Sequence, residues 1–228
     1  MRNKNNVKGK AELIKMENFL EIENSLKIDD KIEKDSKTFE QIMFLYSVAI
    51  KEVVMKLDIM KEEFKLFYNY DLIDHVQTRI KTVDSIANKM KSRNLELTYQ
   101  DMIENINDIA GIRVICPLKK DIFSVRNLIK EIPGARILKE KDYITKPKKS
   151  GYSSYHIIME VPIIVLQKLM YVKVEIQIRT MAMDFWASLE HKMKYKSQKQ
   201  VTKATSKELV ACAKTIYKLD NKMMLLNE

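Results

Sequence analysis

Residues 171–179, YVKVEIQIR, alternate without a break. Val172, Val174, Ile176 and Ile178 point one way; Lys173, Glu175, Gln177 and Arg179 point the other. A two-residue period marks a β-strand with one apolar and one polar face. Three more strands are predicted ahead of it: GIRVIC at 111–116, ARILKEKDYI at 135–144 (bent, or paired in two parts) and 153–161. Only one helix, KKDIFSVRNLIKEI, interrupts this series, and it stops at Pro133–Gly134. The central order is therefore β-α-β-β-β. Successive strands without helices between them require a mixed or antiparallel sheet, so the predicted class is α+β with helices flanking a mixed sheet.

Those helices are legible at both ends. Phe39, Ile42, Tyr46, Ala49, Val53, Leu57, Met60, Phe64 and Phe67 recur every three or four residues, which predicts a long amphipathic helix over 38–67. Thr82 and Thr98 are placed to cap two shorter helices, the first burying Ile86, Ala87 and Met90. MAMDFWASLEHKMKY at 181–195 and residues 205–226 read as helices as well. Residues 1–10 are predicted to be disordered, and 11–30 to carry a helix with Leu13, Met16, Leu20 and Ile22 on its apolar side. The chain divides into an N-terminal segment 1–35, a main domain 36–200 and a C-terminal helix 201–228 suited to oligomerisation.

A hydrophobic share of 46% beside 32% charged residues reads as an ordinary soluble chain. No apolar run is long enough to span a bilayer, and no apolar h-region follows the basic N-terminus, so a cytoplasmic location and no membrane partner are expected. The net charge of +10 favours polyanionic partners, whether nucleotides, RNA or phosphorylated metabolites, although lysine-rich surfaces are often simply solvated. Cys116 and Cys212 sit in apolar surroundings and read as two buried thiols in a reducing compartment. His75, His156 and His191 are scattered, without zinc spacing and without a His-Asp dipeptide.

Four segments carry chemistry. Asp108 stands just before the GIRVIC strand and Glu175 on the alternating one. Two carboxylates from neighbouring elements suit Mg²⁺, which keeps several waters and binds substrate phosphates. Asp108 alone reads equally as a turn residue. In RIKTVDSIANK, Arg79 and Lys81 share a side in extended geometry, and Ser85 and Lys89 follow one turn apart on a helix whose N-terminus favours phosphate. A solvated helix face gives the same pattern. In DYITKPKKSGYSSYH, Lys146, Lys148 and Lys149 form a turn ahead of Tyr152 and His156. An aromatic ring beside amines suits a stacked base with its phosphates. A strand-start tyrosine with a hydrogen-bonded histidine fits that segment equally well. Arg113 lies on the GIRVIC strand itself.

Taken together, these segments resemble the RelA/SpoT-type alarmone synthetases, in particular the small ones. The residues that carry the resemblance are Arg79, Lys81, Ser85 and Lys89; DIAGIRVIC at 108–116; KDYITKPKKSGYSSYH at 141–156; VEIQIRT at 174–180; and FWASLEHKMKYK at 185–196, all in the family's order. The resemblance implies a nucleotidyltransferase-like fold. It implies transfer of pyrophosphate from ATP to the 3′-hydroxyl of GDP or GTP, leaving AMP and making the alarmones of the stringent response. Carried over by position, Arg79 and Arg113 flank the adenine, Lys81, Ser85 and Lys89 hold the ATP phosphates, and Lys141 lies near them. Asp108 and Glu175 bind Mg²⁺, and Glu175 helps deprotonate the acceptor hydroxyl. Tyr152 stacks on guanine, while Lys148, His156 and Gln177 contact the acceptor nucleotide. Ser150 departs from the asparagine that many members carry there, which loosens the expectation for the ranking of GMP, GDP and GTP.

The resemblance also implies a homotetramer and a synthesis-only enzyme, with no room for the hydrolase domain of the long bifunctional members. RNA is a further regulatory partner to consider. Two other readings remain open at the level of sequence: a toxin-type relative that pyrophosphorylates adenine nucleotides or tRNA 3′ ends, and a non-catalytic nucleotide- or RNA-binding regulator.

Overall fold

The computed structural model describes residues 31–196 and 202–227. The helix expected over 11–30 and the disorder expected over 1–10 lie outside the described residues. The elements run α1 (Lys31–Tyr68), β1 (His75–Ile80), α2 (Val83–Ser92), α3 (Tyr99–Asn105), β2 (Ala110–Cys116), α4 (Lys119–Lys130), β3 (Arg136–Asp142), β4 (Tyr155–Val165), β5 (Lys168–Thr180), α5 (Met181–Lys196) and α6 (Lys203–Leu225). The five strands form one mixed sheet in the order β1-β2-β5-β4-β3. β2 and β5 are parallel and every other pair is antiparallel. The predicted α+β class is the observed one.

The alternation of β5 sets the two faces of the sheet. Val174 stands opposite Ala110 and Met159, and Ile176 opposite Ile112 and Ile157. This apolar face, fully buried, packs under α1 and α4. Ile42, Tyr46, Ala49, Val53 and Leu57 of α1 are all 1% exposed or less, which is the second surface that the long stripe demanded. The stripe then runs past the sheet: Leu66, Phe67 and Tyr68 are at least 70% exposed. On the other face, Glu175 stands over Gly111 and Gln177 over Arg113 and His156. That polar face is the floor of a cleft, with α2 near one side and the start of α5 near the other.

Three features differ from the sequence reading. A fifth strand, β1, pairs antiparallel with β2 at the sheet edge. Its sequence HVQTRI is exposed along nearly its whole length, so it lacks the apolar run that announces a strand. The 153–161 and 171–179 strands extend into a long hairpin whose turn, Leu166–Gln167, has φ of 48° and 63°. That left-handed geometry is usually supplied by Asn-Gly. Pro162 lies in this extension beyond the last partner in β3, where a missing N–H is tolerated. The third correction concerns the thiols: Cys116 is buried but Cys212 is exposed on α6. The bend expected in 135–144 is present as a register shift between Ile137 and Lys139.

Candidate active site

Asp108 and Glu175 share the cleft, close enough for the charge of Asp108 to act on Glu175. Asp108 is fixed by the start of β2, and Glu175 by its pairing opposite Gly111 in the next strand. Both side chains are largely buried. Asp108 Oδ2 accepts from Lys81 Nζ at 2.9 Å and Lys89 Nζ at 2.7 Å. Burial opposes ionisation of Asp108, but the two ammoniums outweigh it and hold the carboxyl below the usual carboxylate range. Its other oxygen, Oδ1, is buried without a hydrogen-bond partner. A buried anionic oxygen left open beside a second carboxylate is the donor set that a hard divalent cation with few protein ligands would take. No group of three or more His, Cys, Asp or Glu side chains forms a fuller cage among the described residues.

Glu175 is held by a closed ring of hydrogen bonds. Its Oε1 faces His156 Nδ1 at 3.3 Å and its Oε2 accepts from Gln177 Nε2 at 2.9 Å. His156 Nε2 meets Tyr152 Oη at 2.8 Å. Arg179 Nη2 donates to Tyr152 Oη at 2.6 Å and to Gln177 Oε1 at 2.8 Å, closing the ring. Because Arg179 donates to the phenol oxygen, Tyr152 keeps its own proton to give to His156 Nε2. The Nδ1–H then faces Glu175, and every donor has an acceptor. Burial of Glu175 favours its neutral form, but the bonds from His156 and Gln177 prevail and lower its pKa.

Two subsites flank these carboxylates. On one side Gly111 is the floor beneath Arg79, and a methyl group there would stand 3.3 Å from Arg79 Cγ and Nε. Arg79, Gly111, Arg113, Gln77 and Gln177 line a recess of about 70 Å³. Thr82 caps α2 by accepting from the Ser85 N–H, and Ser85 stands at that helix start, one turn before Lys89. On the other side Tyr143, Tyr152 and His156 pack edge to face, with ring centroids 5.4–6.0 Å apart. Lys148 Nζ lies over both tyrosine rings, at 4.7 and 4.9 Å. Lys141 pairs with His156 across β3 and β4. Ser150 Oγ accepts from the Tyr152 N–H at 3.4 Å.

A roomier cavity of about 560 Å³ lies behind the 145–153 loop, against Trp186, Ala213 and Tyr217. Of the predicted site residues, Lys148 alone lines it. Gly151, at φ 91°, packs directly on α6: a methyl group there would be 2.4 Å from Ala213 Cβ.

The structure thus brings the predicted residues around one cleft: Arg79, Lys81, Ser85, Lys89, Asp108 and Arg113 on one side, Lys141, Lys148, Tyr152, His156 and Glu175 on the other, and Gln177 between them, lining the donor recess and bonded to Glu175. Sequence reasoning missed Tyr143, Arg179 and Asp184. Arg179 was visible only as the last polar residue of the alternating strand. Asp184 Oδ1 accepts from Arg179 Nη1 and forms an ion pair with Arg113 Nη1, at 3.0 Å each.

Residues 78–200 match the model of the region found in RelA / SpoT proteins. GTP pyrophosphokinase YwaC of Bacillus subtilis is 43% identical over 182 residues, covering 80% of this chain and 87% of that protein. Small alarmone synthetase 1 from Bacillus subtilis bound to its product pppGpp superposes with a TM-score of 0.77 at 31% identity, covering 84% of this chain and 97% of that one. The same synthetase bound to AMPCPP gives 0.72 at 28% identity, over 84% and 96%. The chain belongs to the RelA/SpoT family and, within it, to the small alarmone synthetases.

Proposed function

We propose that the chain transfers pyrophosphate from ATP to the 3′-hydroxyl of GDP or GTP, releasing AMP, in the cleft over the polar face of the sheet. The observation that carries this reading is the Asp108–Glu175 pair, standing between an arginine-walled recess and an aromatic–lysine cluster. The GTP pyrophosphokinases YwaC and YjbM among its relatives support the same reaction.

ATP lies with its adenine between Arg79 and Arg113, over Gly111. Its phosphates extend toward Lys81, Lys89 and the Ser85 end of α2, where ammoniums and helix N–H groups favour anions. The guanine of the acceptor stacks on Tyr152, beside Lys148, with His156 and Gln177 at its sugar-phosphate; Lys141, expected near the ATP phosphates, is assigned to this side by its place opposite His156 in the sheet. Glu175, ionised and aimed by His156 and Gln177, takes the proton from the 3′-hydroxyl as the oxygen approaches the β-phosphorus. The protein's part is positioning and charge neutralisation, since phosphoryl-type transfer asks for little covalent work. Mg²⁺ held by Asp108 Oδ1 and Glu175 would neutralise charge on the phosphate oxygens of ATP.

The synthetase domain occupies 36–200, and 201–228 serves assembly. A homotetramer is supported by exposed apolar residues at the ends of two helices, Leu66, Phe67 and Tyr68 on one and Leu225 and Leu226 on the other. The charge of +10 is the support for RNA as a regulator. The proposed site of action is the cytoplasm; no helix of the described residues is long and apolar enough to cross a membrane.

The test is to supply Mg²⁺ and ATP with GMP, GDP, GTP or uncharged tRNA in separate reactions and resolve the nucleotides by anion exchange. AMP matched by a more highly charged guanine nucleotide is expected. AMP only with tRNA or adenine nucleotides, or none at all, would overturn the reading.

A further inference from the structure

We propose that Asp184, in the first turn of α5, is a positioning residue that fixes the donor and acceptor pockets relative to each other. The proposal rests on the transfer reading above. One carboxylate oxygen, Oδ1, takes Nη1 of Arg113 and Nη1 of Arg179, both at 3.0 Å. Arg113 walls the donor recess and also donates to Gln77 Oε1 at 3.3 Å. Arg179 holds Tyr152 Oη, Gln177 Oε1 and Ser154 Oγ, and so carries the acceptor side of the ring around Glu175. A single atom therefore joins the two halves of the cleft.

The chemistry at this position requires a carboxylate rather than any acceptor. Arg179 is 4% exposed and has no water in which to dissipate its charge. Burial lowers the pKa of Arg113, the Arg179 charge lowers it further, and Asp184 opposes both. With a neutral side chain at 184, two partly buried guanidiniums face each other without a counter-ion. Without the carboxylate Arg179 keeps three of its four partners and Arg113 keeps only Gln77, so both guanidiniums shift, Arg113 the further. The place of Asp184 is itself fixed: Thr180 Oγ1 accepts from the Met183 N–H at 3.1 Å and donates to Asp220 Oδ2 at 2.9 Å, tying the start of α5 to β5 and α6. An acidic side chain in a first helical turn is also favourable. In-line attack depends on the separation of two bound nucleotides, and displacement on the ångström scale is costly.

The experiment compares wild type, Asp184→Asn and Asp184→Glu in steady-state synthesis from ATP and GDP, with melting temperatures and calorimetric binding of AMPCPP and of GDP measured separately. Asp184→Asn should raise KM for both nucleotides about tenfold, the weight of one charge-assisted hydrogen bond. Asp184→Glu should recover most of that loss. In an Arg113→Gln background, where one cation remains, Asp184→Asn should change the acceptor KM alone. That pair also serves if Asp184→Asn by itself does not fold. Unchanged affinity for both ligands, an effect on one only, or equal damage from Asn and Glu in step with melting temperature would overturn the proposal. Wild-type protein that binds AMPCPP and GDP without making product would overturn the activity instead, and the binding comparison would still decide on Asp184.

Discussion

The imidazole of His156 reaches Glu175 across two paired strands, Nδ1 3.3 Å from Oε1, while its other nitrogen meets Tyr152. This contact aims the carboxylate into the cleft and keeps it ionised. Glu175→Gln preserves shape and loses the charge. The fold should remain, and turnover should fall by about two to three orders of magnitude, the range for a key electrostatic or base group. Circular dichroism and AMP release check the two halves. Near-wild-type turnover would remove Glu175 from the mechanism.

Tyr152 has two separable parts. Its ring offers a stacking surface; its hydroxyl links Arg179 to His156. Tyr152→Ala should raise the KM for the guanine nucleotide by about tenfold or more, in keeping with stacking worth about 1–3 kcal/mol. Tyr152→Phe should leave that KM nearly unchanged and lower kcat, because only the support of Glu175 is lost. If Tyr152→Ala weakened ATP alone, the assignment of the two pockets would be reversed.

Gly111 lies beneath Arg79 with little room for a side chain. Gly111→Ala would set a methyl group 3.3 Å from Arg79 Cγ and Nε, and the arginine must shift. The ATP KM should rise about tenfold, by the same logic that makes small misplacements costly, while the GDP KM and the melting temperature stay close to wild type. An effect confined to GDP would refute the donor recess.

Asp108 and Glu175 both have folded pKa values below their ordinary ones. A depressed carboxylate contributes stability that is present above its unfolded pKa and is lost as pH falls through the folded value. In that window the unfolded chain binds more protons, so stability rises with pH. Urea midpoints should therefore fall as pH drops from roughly 5 to 3, around the ordinary carboxylate pKa. Asp108→Asn should flatten part of that slope. Parallel slopes for the two proteins would show that Asp108 carries none of it.

Much of this architecture was legible because burial follows period. The alternation in 171–179 placed Val174 and Ile176 under the helices and Glu175 and Gln177 in the cleft, and the three-four spacing of Ile42 through Leu57 located α1. Thr82 and Thr98 cap the helices they were expected to cap. The failures have physical causes. β1 hides its strand character because it is a polar edge held by backbone pairing to β2. The Leu166–Gln167 turn contains neither glycine nor asparagine. Cys212 sits among small apolar neighbours in sequence, yet on a helix face turned to solvent. Arg179 reaches Tyr152 and Ser154, and Asp184 reaches Arg113, across the fold, so nothing local in VEIQIRT or MAMDF separates them from ordinary polar positions.

The most direct test of the account is phosphorus NMR of ATP and GDP turned over by the wild-type protein, run beside the same reaction with 3′-deoxy-GDP. AMP and a 3′-diphosphate are expected in equal amounts from GDP, and neither product from the 3′-deoxy acceptor. AMP released regardless of the 3′-hydroxyl, or a diphosphate attached elsewhere on the acceptor, would contradict it.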